Sequence, residues 1–297
     1  MRVTNLSSMN SHLRMLNETQ SKLADIQKDI STGTKLHNPS DDPAATGRVI
    51  NYTKHISKNE TYLKNITNAA SYMEHGQLIM EDIHDRVTDA LTELASTSNT
   101  DTKENYGIAA EKIDALFDNI LQLANTKHDE KYLFSGTDFS QPPFAYDKGT
   151  NQVVQNASDI SGELRVKISS TTNQKVNVPG SEIFGSIDGT DVFNTLLQIK
   201  DNLKNGIAPT NDQVKSLESF NENMRIKTAE SGSLLNHIYA TEEMITNQNV
   251  KLQELMGADT DTDMAKSIME MQSYDYSLQM AYKITSMTLS KSLMDYL

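Results

Sequence analysis

The chain has 297 residues, a formal net charge of −13, 37% hydrophobic residues, no cysteine and no tryptophan. An acidic balance of that size disfavours nucleic acid, whose recognition needs clustered Lys and Arg. The lack of cysteine excludes disulfide, thiolate–metal and thiol-nucleophile chemistry. With only 7 Phe in the whole chain, helices that each bury one stripe are a better expectation than one compact globule.

Met1–Asn10 lacks the apolar core of a secretory signal, and nowhere does a run of about 18 apolar residues occur to span a membrane. The first segment carries a seven-residue repeat. Leu6, Met9, Leu13, Leu16, Gln20, Leu23, Gln27 and Ile30 step alternately by three and four, as in a coiled-coil seam weakened by its two glutamines. The stretch Leu36-His37-Asn38-Pro39-Ser40-Asp41-Asp42-Pro43 then breaks the helix, with Asp42 as the expected N-cap and Pro43 at the first helical position of the next.

A long helix is expected over 48–98, its seam formed by Ile66, Ala69, Met73, Gly76, Met80, Ile83, Val87, Ala90 and Leu94. Ser96–Asp101 ends it. A second helix turns Ala109, Ile113, Leu116, Ile120 and Leu123 inward, and a third, over 211–256, uses Val214, Leu217, Met224, Leu235, Ile238, Ile245 and Leu252. Short connections favour an antiparallel bundle of the three. Between them, residues 136–189 hold six of the thirteen glycines and three of the six prolines. Leu164, Val166 and Ile168, and then Val176 and Val178, alternate with polar neighbours, which is strand periodicity. A shorter helix over 190–204 leads back to the bundle.

The last segment has a looser stripe through Ile268, Met271, Tyr274, Leu278, Ala281, Ile284 and Leu289. Residues 1–40 carry a net charge of +2 and residues 258–297 one of −3, so the two ends are expected to pair. The expected fold is mainly α with an inserted β-rich domain: an elongated antiparallel helical rod whose N- and C-terminal helices pair as a coiled coil. Its domains are 1–44 with 258–297, 45–135 with 190–257, and the β-rich 136–189.

Catalytic motifs are missing: no phosphate-binding glycine loop, HExxH or nucleophile elbow is present. Glu81 and His84 have the E-x-x-H spacing of di-iron bundles, but no second such step exists and the pair flanks the seam. Asp259, Asp261 and Asp263 with Glu270 resemble an EF-hand loop, yet Met264 stands where Gly is required and Lys266 where an apolar residue is usual. Capping of a helix start explains those carboxylates better. No cofactor, metal or enzymatic activity is therefore expected.

Ile30-Ser31-Thr32-Gly33-Thr34-Lys35-Leu36 running into Pro39-Ser40-Asp41-Asp42-Pro43-Ala44 resembles the N-terminal signature of the flagellin family, as Gln272, Tyr274–Lys291 and the closing Ser292–Leu297 resemble its C-terminus. The two prolines, together with Lys131-Tyr132-Leu133-Phe134-Ser135-Gly136 and Pro142-Pro143-Phe144, favour the junction branch of the family over flagellin itself. The resemblance implies a structural subunit forming a ring between hook and filament, with further copies of itself, a neighbouring hook-associated junction protein and flagellin as partners. It also implies a type III export chaperone guarding the C-terminal helix, and an extracellular place in the flagellum reached without a cleavable signal. Neither nucleic acid nor membrane is expected as a partner. Leu6, Met9, Leu13, Leu16, Leu23 and Ile30 would form the assembly interface with Ile268, Met271, Leu278, Ala281, Ile284 and Leu289, and Gly33, Pro39, Asp41, Asp42 and Pro43 the motif turn. Flagellin proper and a coiled-coil secretion-apparatus component stay open as alternatives.

Overall fold

The structure, a computed structural model, describes residues 2–98, 103–157, 159–185 and 191–294. Its elements in chain order are α1 (Arg2–Thr32), α2 (Pro43–Ser98), α3 (Lys103–Ala124), six short strands, α4 (Gly180–Phe184), α5 (Val192–Lys204), α6 (Asn211–Thr260) and α7 (Met264–Met294). The strands are β1 (Lys127–His128), β2 (Lys131–Tyr132), β3 (Phe144–Asp147), β4 (Gln152–Gln155), β5 (Arg165–Lys167) and β6 (Asn173–Lys175). They form three separate antiparallel hairpins, β1–β2, β3–β4 and β5–β6. The chain divides into two compact units, residues 58–247 and residues 1–57 with 248–297.

Residues 58–247 are built on the stripe read from α2. Ile66, Ala69, Met73, Met80, Ile83, Val87, Ala90 and Leu94 are all buried. They meet the inward faces of α3 (Ala109, Ile113, Phe117, Ile120), α5 (Phe193, Leu196, Ile199) and α6 (Leu217, Met224, Ile238, Ile245). Cross-links fix the helix directions. Asn221 and Tyr239 of α6 bond to Thr88 and Glu74 of α2, so numbers rise on one helix as they fall on the other. Lys112 likewise reaches back from α3 to Glu93 at 2.9 Å. The fourth helix, α5, starts where Asp191 caps it by accepting from the amides of Phe193 and Asn194. It lies close along α3, and the buried Lys200 is held by Asp114 at 3.0 Å.

These residues form two apolar clusters, and hairpins contribute to both: Phe144 and Val153 of β3–β4 to the one with α3 and α5, β5–β6 to the other. Leu164, Val166, Ile168 and Val176 close over α2 and α6, as their alternation suggested. Few as they are, the phenylalanines are concentrated in one place. Phe184 touches Phe134, Phe144, Phe193 and Phe220, with ring centroids 4.8–5.9 Å apart. Gly136 of the Ser135-Gly136 pair is obligatory here: its φ is +66° and a Cβ would lie 2.6 Å from the Asp159 carbonyl oxygen.

One seam position is underfilled. Gly76 lines a void of about 10 Å³ beside Tyr72, Met73, Met80 and Phe134, and a Cβ built on it meets nothing within 4 Å. Its helical backbone accepts alanine without strain. Gly76→Ala should therefore stabilise the protein by about 0.5–1 kcal/mol through lost unfolded-state entropy, read as a raised melting temperature of residues 58–247. A lowered one would mean that the void is needed.

Candidate functional site

The residues of the motif turn and of the two terminal helices fall in one compact unit. Helix α1 ends at Gly33, whose φ of +73° is a left-handed C-cap that a side chain would strain. The next turn is organised by two adjacent carboxylates. Asp41 Oδ2 accepts from the backbone amides of His37 (3.0 Å) and Asn38 (2.7 Å). Asp42 Oδ1 accepts from those of Ala44 (3.0 Å) and Ala45 (2.9 Å), the expected N-cap, with Pro43 opening α2. His37 Nε2 closes back onto Asp29 Oδ1 at 2.7 Å. Pro39 stands exposed at the tip.

The opposite reversal, from α6 into α7, is joined to this turn backbone to backbone. Lys35 N–H donates to the Thr260 carbonyl at 2.8 Å, Thr262 N–H donates to the Gly33 carbonyl at 3.0 Å, and Thr34 bridges Asp261. Lys35 Nζ reaches the Ala258 carbonyl at 3.1 Å, and Arg48 grips Asp259 through two bonds of 2.8 and 2.6 Å. The acidic triplet thus has three separate tasks. Asp259 answers Arg48, Asp261 accepts from the Thr260 hydroxyl, and Asp263 caps α7 through the Lys266 amide.

Two of these carboxylates are shifted. Backbone amides of Asn38 and His37 hold Asp41 below the ordinary value of 3.8, and the Arg48 hydrogen bonds do the same for Asp259. Groups with depressed folded values stabilise the native form above the unfolded pKa and lose that effect as pH falls through the folded one. Between pH 5 and pH 2, hydrogen exchange at residues 33–42 and 258–263 should accelerate beyond its intrinsic pH dependence, ahead of the core of residues 58–247. Undiminished protection at pH 2 would count against this clasp.

Helices α1 and α7 run antiparallel against each other. On α1 the inward positions are Leu16 (buried), then Thr19, Leu23, Ile26 and Ile30 (half-buried). On α7 they are Ser267 (buried), then Met271, Tyr274, Leu278, Ala281 and Thr285 (half-buried). The seam keeps the three–four step but differs in phase from the expected one: Gln20 and Gln27 face solvent, and Thr19 and Ile26 take their places. Turning the seam by one residue frees both amides from burial without partners. Of the residues singled out from sequence, Leu16, Leu23, Ile30, Met271, Leu278 and Ala281 come together here. Met9 (45%), Leu13 (44%), Ile268 (40%) and Ile284 (53%) are exposed instead. The side chains of Leu6 and Leu289 lie outside the described residues. A second apolar stripe, missed from sequence, runs along α7 through Met269, Tyr276, Met280 and Met287, all exposed. It is two positions on from the inward one, ~200° around the helix.

Of the sequence's metal-like spacings, Glu81 accepts from Gln77 Nε2 at 3.1 Å while His84 holds its Nδ1 enclosed without a partner. Long helices with this clasp and an apolar surface can bind other helices. Residues 3–138 match the family described as the bacterial flagellin N-terminal helical region. Over those residues the chain is similar to flagellins. The resemblance read from its N-terminal motif therefore stands. It is 23% identical over 299 residues to flagellar hook-associated protein 3 of Escherichia coli (strain K12), covering 92% of each chain. Solved structures that share the fold include two FlgL proteins. The flagellar junction protein FlgL of Legionella pneumophila aligns with a TM-score of 0.61 at 14% identity, over 72% of this chain and 100% of that one. FlgL of Xanthomonas campestris gives 0.60 at 16%, over 69% and 99%. Among the described residues no helix is long and apolar enough to cross a membrane.

Proposed function

We propose that this chain is a structural, non-enzymatic subunit of the bacterial flagellum, standing at the junction between hook and filament. The observation that carries the reading is the match to a hook-associated protein 3 over 92% of both chains, joined to a pair of terminal helices that keeps apolar surface exposed. In this reading residues 1–44 and 258–297 form the assembling part by coiled-coil packing, residues 45–135 with 190–257 the rod, and residues 136–189 a β-rich insert outside the contact. Copies associate through α1 and α7 into a ring, with a hook-associated junction protein on one side and flagellin on the other. Before export through the flagellar type III channel a chaperone covers the C-terminal helix, and the protein then resides outside the cell.

A strain lacking this chain should keep its hooks and shed flagellin into the medium, because arriving subunits find nothing to pack on. Normal filaments in that strain would overturn the junction reading; under the second reading, a filament subunit, which the flagellin-type match of residues 3–138 supports, the strain would keep its hooks and shed no flagellin. Stoichiometry along isolated flagella separates the two: one short zone at the hook tip against labelling over the whole length.

The exposed and the inward residues of the terminal helices should behave differently. Leu13→Asp and Ile284→Asp alter surface positions, so the monomer should lose no more than about 0.5 kcal/mol while assembly fails. Leu16→Asp and Leu278→Asp put charge between α1 and α7, a change of several kcal/mol, and should release both helices to proteolysis while residues 58–247 melt as before. Filament growth restored by Leu13→Asp and Ile284→Asp alike would remove these residues from the interface.

A further inference from the structure

Two histidines that no sequence spacing connects meet between α2 and the β1–β2 hairpin. His75 Nδ1 and His128 Nδ1 share a hydrogen bond of 3.0 Å, both rings half-buried, with ring centroids 5.2 Å apart. On the far side of the second ring, His128 Nε2 faces Asp129 Oδ2 at 3.6 Å. The edge of Tyr72 fixes that ring from a third direction, centroids 5.7 Å apart, and its own hydroxyl donates to the Leu133 carbonyl at 3.0 Å. The neighbouring lysines are engaged elsewhere: Lys127 over the Tyr132 ring and Lys131 over that of Phe139.

The hairpin that delivers His128 is strained. Its two turn residues, Asp129 and Glu130, have φ of 46° and 65°, the left-handed pair for which Asn-Gly or Asp-Gly is the ordinary solution. Non-glycine residues persist in such conformations where surrounding structure over-determines them, and they gather at ligand sites. Here the strained Asp129 is also the carboxylate placed behind the imidazole.

We propose that His75 and His128 form a binding site for one divalent transition-metal ion of the imidazole-preferring class, with copper(II) as its strongest occupant. Both Nδ1 atoms are the ligands, the ion taking the place of the hydrogen bond they share, and Asp129, whose carboxylate stands 3.6 Å from His128 Nε2, is the positioning residue that closes onto that N–H when the metal binds. The distance suits this. Two metal–nitrogen bonds of about 2.0 Å put the nitrogens ~2.8 Å apart at a right angle and ~3.3 Å apart at a tetrahedral one, and 3.0 Å lies between. A carboxylate on the second nitrogen of a ligating histidine sets its tautomer and raises its basicity. No group of three or more His, Asp or Glu in metal-binding geometry occurs among the described residues, so water completes the shell.

The test uses the full chain, stripped of metal and titrated with copper(II) chloride, followed by calorimetry and electron paramagnetic resonance. One equivalent should bind with the superhyperfine pattern of two nitrogen ligands. His75→Asn and His128→Asn should each weaken that site at least tenfold, and Asp129→Asn about 10–100-fold, while His237→Asn changes nothing. Circular dichroism establishes that each variant is folded; should His128→Asn fail there, His75→Asn on the rigid helix α2 and the wild-type spectrum decide. A wild-type spectrum without two-nitrogen ligation, or affinity unchanged in folded His75→Asn, would overturn the site.

Discussion

When two helices reverse, their ends release backbone groups that need partners, and in the terminal unit the two reversals satisfy each other. Gly33, Thr34 and Lys35 pair with Thr260, Asp261 and Thr262 through main-chain bonds. Left unmatched and shielded from water, those groups would each destabilise the turn. Everything else near the ends is placed by this short ladder. It sets the point at which α1 and α7 begin to run together, and it brings Arg48 within reach of Asp259. Charge complementarity between the two ends is therefore local. The acidic excess of the C-terminal segment sits at the reversal, in Asp259, Asp261 and Asp263, and among the described residues no ion pair links α1 to α7. Contact between those helices depends on apolar and small polar side chains.

That contact is thin. Threonine, serine and alanine occupy several inward positions, and among the described apolar seam residues only Leu16 is buried. In residues 58–247, by contrast, Ile66, Ile83, Val87, Ile113 and Phe193 have no exposure at all. Buried apolar area is the main favourable term in folding, so the terminal helices belong to the low-stability end of the chain and the core helices to the high end. A pair of helices in such thin contact gains most from further helices laid against it. The exposed stripe of α7 supplies surface of the adaptable, methionine-rich kind.

Long helices were legible because their stripes are long. The seam of α2 could be read residue by residue, and α6 was expected over 211–256 and extends to Thr260. The Asp42 cap was legible from an Asp-Pro pair. Phase was harder. A three–four repeat fits 16-20-23-27-30 as well as 16-19-23-26-30, and only the burial of the partner helix chooses between them. The turn-to-turn ladder was illegible, since main-chain pairing across more than two hundred residues leaves no pattern in side chains. Hairpin β1–β2 escaped for a different reason: Asp129-Glu130 occupies left-handed positions without the Gly or Asn that announces such a turn. The histidine pair depends on that hairpin, so it was hidden with it.

Charge is divided as unevenly as burial. Residues 1–57 and 248–297 hold eleven basic and twelve acidic side chains, net −1, which leaves −12 of the total −13 to residues 58–247. Copies of a strongly acidic surface repel one another over about a Debye length, near 8 Å at physiological ionic strength. A nearly neutral surface with exposed Met, Tyr and Ile carries no such penalty. The same chain can therefore stay apart through one unit and associate through the other. Association is confined to the helices least able to bury themselves alone, and ordering them is then part of the free energy of joining.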